Sequence, residues 1–309
     1  MQIYLPIAEI PVNILLILIL GLATGFLAGM FGIGGGFLAT PLLMFIGIPP
    51  AIAVSTSTNQ IIASSVSGLL GHLRKGNVDI KMGIFLVVGG FFGSTFGVTI
   101  FKILQKTGHT EIVVSAVYVL FLGSISITML IDSIKTLVTK KYDVVWEKKP
   151  NGKFDKFLEK IDQLPWQIYF PKSDITISII VPVILSVGIG ILVSLMGIGG
   201  GFLMIPAMIY ILRMPSSVVV GTSLFQIIFI ASNSTFLQAI TNNTVDIVLA
   251  FLMIISSAIG AQVGTRSVYK FNADSMRILL SLLILVVCIK ILISLLAAPQ
   301  SLYTIEFLK

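Results

Sequence analysis

The chain has 309 residues, of which 56% are hydrophobic and only 11% charged, with a mean hydropathy of +1.05. That excludes a soluble globule, in which about 25% of residues are charged, and reads as an integral membrane protein whose first partner is the lipid bilayer. The net charge of +7 does not point to nucleic acid, because the bases sit between apolar runs, where a membrane protein keeps its cytoplasmic anchors.

From the start of the chain, no Lys or Arg precedes Arg74, and no A-x-A-like cleavage site follows the first apolar run. That run is therefore expected to stay as a membrane segment rather than leave as a signal peptide. Five apolar segments, A to E, follow at 12–31, 36–48, 51–73, 82–104 and 112–131, and five more at 175–196, 201–212, 216–240, 245–268 and 276–296. Most reach the roughly 20 residues that cross a hydrocarbon core, but B is nearer a dozen in both halves. A and B as one helix would measure about 50 Å, so the chain must break or turn between them.

Glycines mark that place. "GIGGGFL" at 32–38 returns letter for letter at 197–203, Pro41 matches Pro206, "STSTNQ" at 55–60 meets "GTSLFQ" at 221–226, and "NVDI" at 77–80 meets "TVDI" at 244–247. Near-constant offsets over this length mean a duplicated unit. The predicted fold is an all-α membrane protein of two repeats, 1–137 and 174–309, joined by a basic linker at 138–173 that the positive-inside rule puts in the cytoplasm. Arg74, Lys75 and Lys81 crowd the C to D loop of the first half, whereas Arg266, Lys270 and Arg277 crowd the D to E loop of the second. The halves are thus predicted to be inserted upside down relative to each other, with both termini outside.

Short, glycine-interrupted segments at corresponding places in inverted repeats point to a transporter site near the membrane midplane. Gly34, Gly35 and Gly36, with Gly199, Gly200 and Gly201, are expected to expose backbone N–H groups at two helix N-termini to a small anion. The competing reading, close helix packing, is preferred for Gly89, Gly93 and Gly97 and for Ser256, Gly260 and Gly264, which recur every four residues. Segment C adds polar candidates inside apolar helices: Thr56, Asn59 and Gln60, and Thr222, Ser223 and Gln226. Asp79 and Asp246, matched between the halves at the start of D, read as helix caps, with proton coupling as the sharper role. Catalytic residues, cofactors and metal sites are not expected: the lone Cys288 lies in "LLSLLILVVCIKIL", and the spans carry no His, Asp or Glu cluster.

The paired "GIGGGFL" clusters, each followed by a "TPLL" or "IPAM" helix, together with "NQIIASSVSGLLGHLRKGNVD" and "VGTSLFQIIF", resemble the TauE/SafE sulfite exporter family of bacterial inner membranes. The resemblance implies secondary transport of sulfite or a small organosulfonate, usually export, driven by an ion gradient. It leaves open which oxyanion is carried and allows a homodimer. The alternatives are a membrane-embedded enzyme and a structural subunit without transport activity.

Overall fold

The computed structural model describes residues 2–31, 34–138, 164–267 and 273–296; most of the basic linker (139–163), Gly32 and Ile33 lie outside them. One order of elements occurs twice. The first half runs β1 (Gln2–Leu5), β2 (Ile10–Asn13), α1 (Ile14–Phe31), α2 (Gly36–Phe45), α3 (Pro50–Arg74), α4 (Ile80–Lys106) and α5 (Thr110–Val138). The second runs β3 (Gln167–Phe170), β4 (Ile175–Ser178), α6 (Ile180–Met196), α7 (Gly201–Tyr210), α8 (Ser216–Leu237) with a π-helical turn (Gln238–Asn242), α9 (Ile247–Ser267) and α10 (Ala273–Leu296).

The two antiparallel hairpins depart from the all-α expectation. They pair Gln2 with Asn13 and Gln167 with Ser178, and each turns through a residue of positive φ, Glu9 at 55° and Asp174 at 50°. "QIYLP" at 2–6 and "QIYFP" at 167–171 share the 165-residue offset of the glycine heptads, so the duplicated words begin before the first helix. The second hairpin spans position 173, where the sequence reading ends the linker.

Among the described residues, five helices are long and apolar enough to cross a membrane: Ile14–Phe31, Ile80–Lys106, Thr110–Thr128, Ser216–Asn242 and Ile247–Ser267. Their outward faces are apolar, as Ile84, Val88, Phe92 and Phe96 show on α4 and Phe251, Ile255, Ile259 and Val263 on α9, each exposed at four-residue spacing. Their inward faces carry buried hydroxyls and amides such as Thr24, Ser94, Gln226 and Ser257. This is the arrangement hydrocarbon demands, where apolar surface costs nothing and polar groups must be paired inside. The protein is a multi-pass membrane protein.

Two compact units form. One holds Met1–Glu111 with Tyr142–Asn272, and the other holds Ile112–Lys141 with Ala273–Lys309. In the first unit α1 packs along α9, α4 along α6, and α3 against α8, so each partner comes from the other half. Small residues every four positions permit this. A Cβ on Gly89 or Gly93 would overlap the carbonyl oxygen of Val183 or Val187 on α6, and one on Gly260 or Gly264 would overlap that of Leu22 or Phe26 on α1. In the second unit Ser126 Oγ donates to Ser281 O at 3.0 Å, and the Cys288 thiol lies 3.6 Å from Val119 O.

Candidate functional site

α1 ends at Phe31 and α2 begins at Gly36; α6 ends at Met196 and α7 begins at Gly201. Gly34 and Gly35 have φ of 84° and 67°, and Gly199 and Gly200 have 81° and 72°, a left-handed backbone that L side chains adopt only at a cost of about 1–2 kcal/mol per residue. The same turn closes both: Gly36 N donates to Gly34 O and Gly201 N to Gly199 O, each at 2.9 Å. Glycine is used here for its dihedral angles, whereas on α4 and α9 it is used for its missing side chain.

The two turns meet. A Cβ on Gly36 would lie 2.6 Å from Gly197 O, and the rings of Phe37 and Phe202, the second residues of α2 and α7, stack at 5.1 Å with a 6° interplanar angle. α3 threads between them. Ser57 Oγ donates toward Gly197 O at 3.4 Å and pairs with Thr40 Oγ1 at 2.6 Å, and Ser64 Oγ donates to Gly34 O at 3.3 Å. The Ile61 side chain is the nearest neighbour to a Cβ on Gly34, Gly36 or Gly199. By contrast, a Cβ on Gly35 would meet Thr24 O at 2.7 Å and the Ala28 side chain at 2.8 Å, and one on Gly200 would meet Val193 and Ile189 at 2.8 and 2.9 Å.

The amides of segment C tie the core helices at mid-length. Gln60 Nε2 donates to Thr24 Oγ1 at 2.5 Å and Gln226 Nε2 to Ser186 Oγ at 2.7 Å. The Thr24 hydroxyl donates in turn to Leu20 O at 2.7 Å, and that of Ser186 to Leu86 O. Both glutamines are buried, and Oε1 of each has no hydrogen-bond partner, so two matched acceptors stand unspent in the core.

Other predicted residues lie elsewhere and do different work. Thr222 Oγ1 accepts from Asp79 N at 2.9 Å and Thr56 Oγ1 from Asp246 N at 3.2 Å, so these hydroxyls fasten the first turns of α4 and α9. Asp79 Oδ1 caps α4 through Met82 N at 2.9 Å, and Asp246 Oδ1 accepts from Leu249 N at 3.0 Å. The second carboxylate oxygen of each holds a hairpin: Asp79 Oδ2 accepts from Ser173 Oγ at 2.7 Å, and Asp246 Oδ2 from Ile7 N at 2.9 Å. Asn59 is half-buried, with Nδ2 3.4 Å from Thr56 O, and Ser223 Oγ donates to Val220 O of its own helix at 2.8 Å. The sequence reading missed Ile61, Thr40, Ser64 and Ser65, although the 57, 61, 64, 65 spacing on one helix face would have found three of them.

Comparison with known proteins gives the family. The profile of the sulfite exporter TauE/SafE family matches residues 17–291. The chain belongs to that family. This TauE/SafE protein is 27% identical over 279 residues to the probable membrane transporter protein YjnA of Bacillus subtilis, covering 89% of this chain and 98% of the relative. It is 24% identical over 283 residues to YunE of the same organism, covering 89% and 96%. A 106-residue stretch is 33% identical to the sulfite exporter TauE/SafE family protein 1 of Arabidopsis thaliana, covering 34% and 24%. No solved structure matches this TauE/SafE chain.

Proposed function

We propose that this membrane transporter is a secondary carrier that exports sulfite or a small organosulfonate at the expense of an ion gradient. The anion sits near the midplane on backbone N–H groups of the two turns, Gly34 to Gly36 and Gly199 to Gly201. One observation carries this reading: Phe37 and Phe202, the second residues of α2 and α7, stack at 5.1 Å, so the two helix N-termini meet in the core. Each terminus carries partial positive charge, which favours an anion without a buried lysine or arginine. The family's name supplies the substrate class.

The carrier is proposed to be an inverted repeat with the linker in the cytoplasm. Lys81 Nζ donates to Tyr169 O at 2.9 Å and Lys172 Nζ lies 3.5 Å from a Cβ on Gly76, so bases gather around the β3–β4 hairpin. The first hairpin and its turn, residues 2–13, carry Glu9 and no base. That charge difference supports a cytoplasmic side for the second hairpin. Asp79 and Asp246 serve in this reading as latches for the hairpins rather than as proton carriers.

Flux of labelled sulfite in proteoliposomes tests the function. Uptake or efflux dependent on the protein and on an imposed ion gradient is expected; a sealed, correctly inserted protein that moves no sulfur oxyanion would leave the structural-subunit reading. Gly35 and Gly200 are poor probes of the site, because a side chain there meets the protein's own backbone or packed methyl groups.

A further inference from the structure

We propose that α3 selects the substrate: Ile61 limits the size of the bound anion and Ser65 donates a hydroxyl to it, while α8 has Ile227 and Ala231 at the matching positions. The inference rests on the reading of the glycine turns as one anion site. Ser57, Ile61, Ser64 and Ser65 fall on one face of α3, and that face touches both turns.

Ile61 is fully buried, and its side chain is the nearest neighbour of three of the six turn glycines: 3.2 Å from a Cβ on Gly34, 2.6 Å from one on Gly199, and overlapping one on Gly36. No other single side chain bridges the two turns in this way among their nearest neighbours. An anion seated between the turns takes the volume now filled by the end of this side chain. Its size is therefore set by how far Ile61 can withdraw.

Ser65 stands one helical turn beyond, with Oγ 3.7 Å from a Cβ on Gly34. It is fully buried and its hydroxyl has no partner. Its neighbours behave otherwise: Ser57 Oγ donates to Val54 O at 3.0 Å and Ser64 Oγ to Ile61 O at 3.1 Å, satisfied within their own helix. A buried hydroxyl left unpaired beside a helix N-terminus is costly unless a ligand accepts from it. At the 166-residue offset of segment C, α8 places Ile227, Ile230 and Ala231 where α3 has Ile61, Ser64 and Ser65, so α8 carries no hydroxyl at those three positions; its own buried, unpartnered hydroxyl, Ser234, lies a turn further along. The substrate class that fits is a small oxyanion held by backbone from two sides and by one side-chain hydroxyl from the first half.

The test uses the full chain purified in detergent, with sulfite and the two-carbon sulfonate isethionate as probes, and reads Kd for each by ligand-induced thermal stabilisation. Ile61→Ala is expected to improve the affinity ratio of isethionate to sulfite by about tenfold or more, in line with what added methylenes discriminate in a tight pocket. Ile61→Val, which removes one methyl group, shifts it a few-fold in the same direction and keeps the test alive should the alanine variant not fold. Ser65→Ala weakens both probes about tenfold at an unchanged ratio. An unchanged ratio in both Ile61 variants, with wild-type protein still binding sulfite, would overturn the inference and leave the anion site standing. Failure of the wild-type protein to bind either probe would remove the anion site itself.

Discussion

Gly93 and Gly199 are both buried glycines of the same chain, and their surroundings differ in kind. Gly93 lies inside a straight helix with the backbone of Val187 pressed against the place where a side chain would start, and its neighbours at four-residue spacing, Gly89 and Gly97, do the same along α6. Gly199 lies between helices, at φ 81°, and what stands nearest to it is an isoleucine side chain rather than backbone. The first kind of glycine brings two helices of opposite halves to backbone contact, which supplies the van der Waals packing that membrane helices need in place of a hydrophobic driving force. The second kind interrupts a helix so that a fresh N-terminus opens inside the core. Composition alone counts them together; spacing and dihedral angle separate them.

The largest expected effect breaks the first kind. Gly93→Ala or Gly264→Ala drives a methyl group into a backbone carbonyl that cannot step aside, and should cost about 3 kcal/mol or more, at the upper end of overpacking. The check is the yield and melting temperature of the detergent-purified protein. A wild-type Tm for Gly93→Ala would show that α4 and α6 do not pack as described.

Next come the carboxylates that tie each hairpin to the opposite half. Asp79→Ala removes a helix cap and frees Ser173, with an expected loss of about 1–2 kcal/mol and faster proteolysis of the 166–178 hairpin. Asp79→Asn, which keeps one acceptor, should lose less. If Asp79 is a latch only, sulfite flux by the Asn variant keeps the wild-type pH dependence; a flattened pH profile would give the carboxylate a part in proton coupling.

Gly199→Ala is expected to cost about 1–2 kcal/mol from its left-handed backbone and to weaken sulfite binding tenfold or more, with folding retained because its methyl group meets only the Ile61 side chain. The smallest effect belongs to Ser223→Ala. That hydroxyl bonds within its own helix, so stability should change by no more than about 0.5 kcal/mol and transport not at all. Loss of transport in this variant would return Ser223 to the site.

Much of the fold was legible because membrane insertion and duplication both write themselves into sequence. Segment lengths, the short B helices and the glycine interruptions follow from how much apolar chain crosses a bilayer and from what a helix interior tolerates. The hairpins were not legible as structure: four-residue strands such as QIYL are too short to show a period, and only their repetition at offset 165 betrays them. Thr56 and Thr222 recur in both halves, as ligand residues would, but recurrence also follows from a shared structural duty, and theirs is to accept from the backbone of Asp246 and Asp79. Ile61 escaped notice for the opposite reason. An isoleucine among isoleucines carries no mark until the glycines it touches are brought to it by the fold.

The central claim is that two glycine turns make one anion site, and the stoichiometry of binding tests it most directly. Isothermal titration of sulfite into the purified wild-type protein should give one anion per chain, and either Gly34→Ala or Gly199→Ala alone should weaken that single event tenfold or more while the protein remains folded. Two anions per chain, or sulfite binding unchanged in a folded Gly34→Ala and Gly199→Ala double variant, would contradict it.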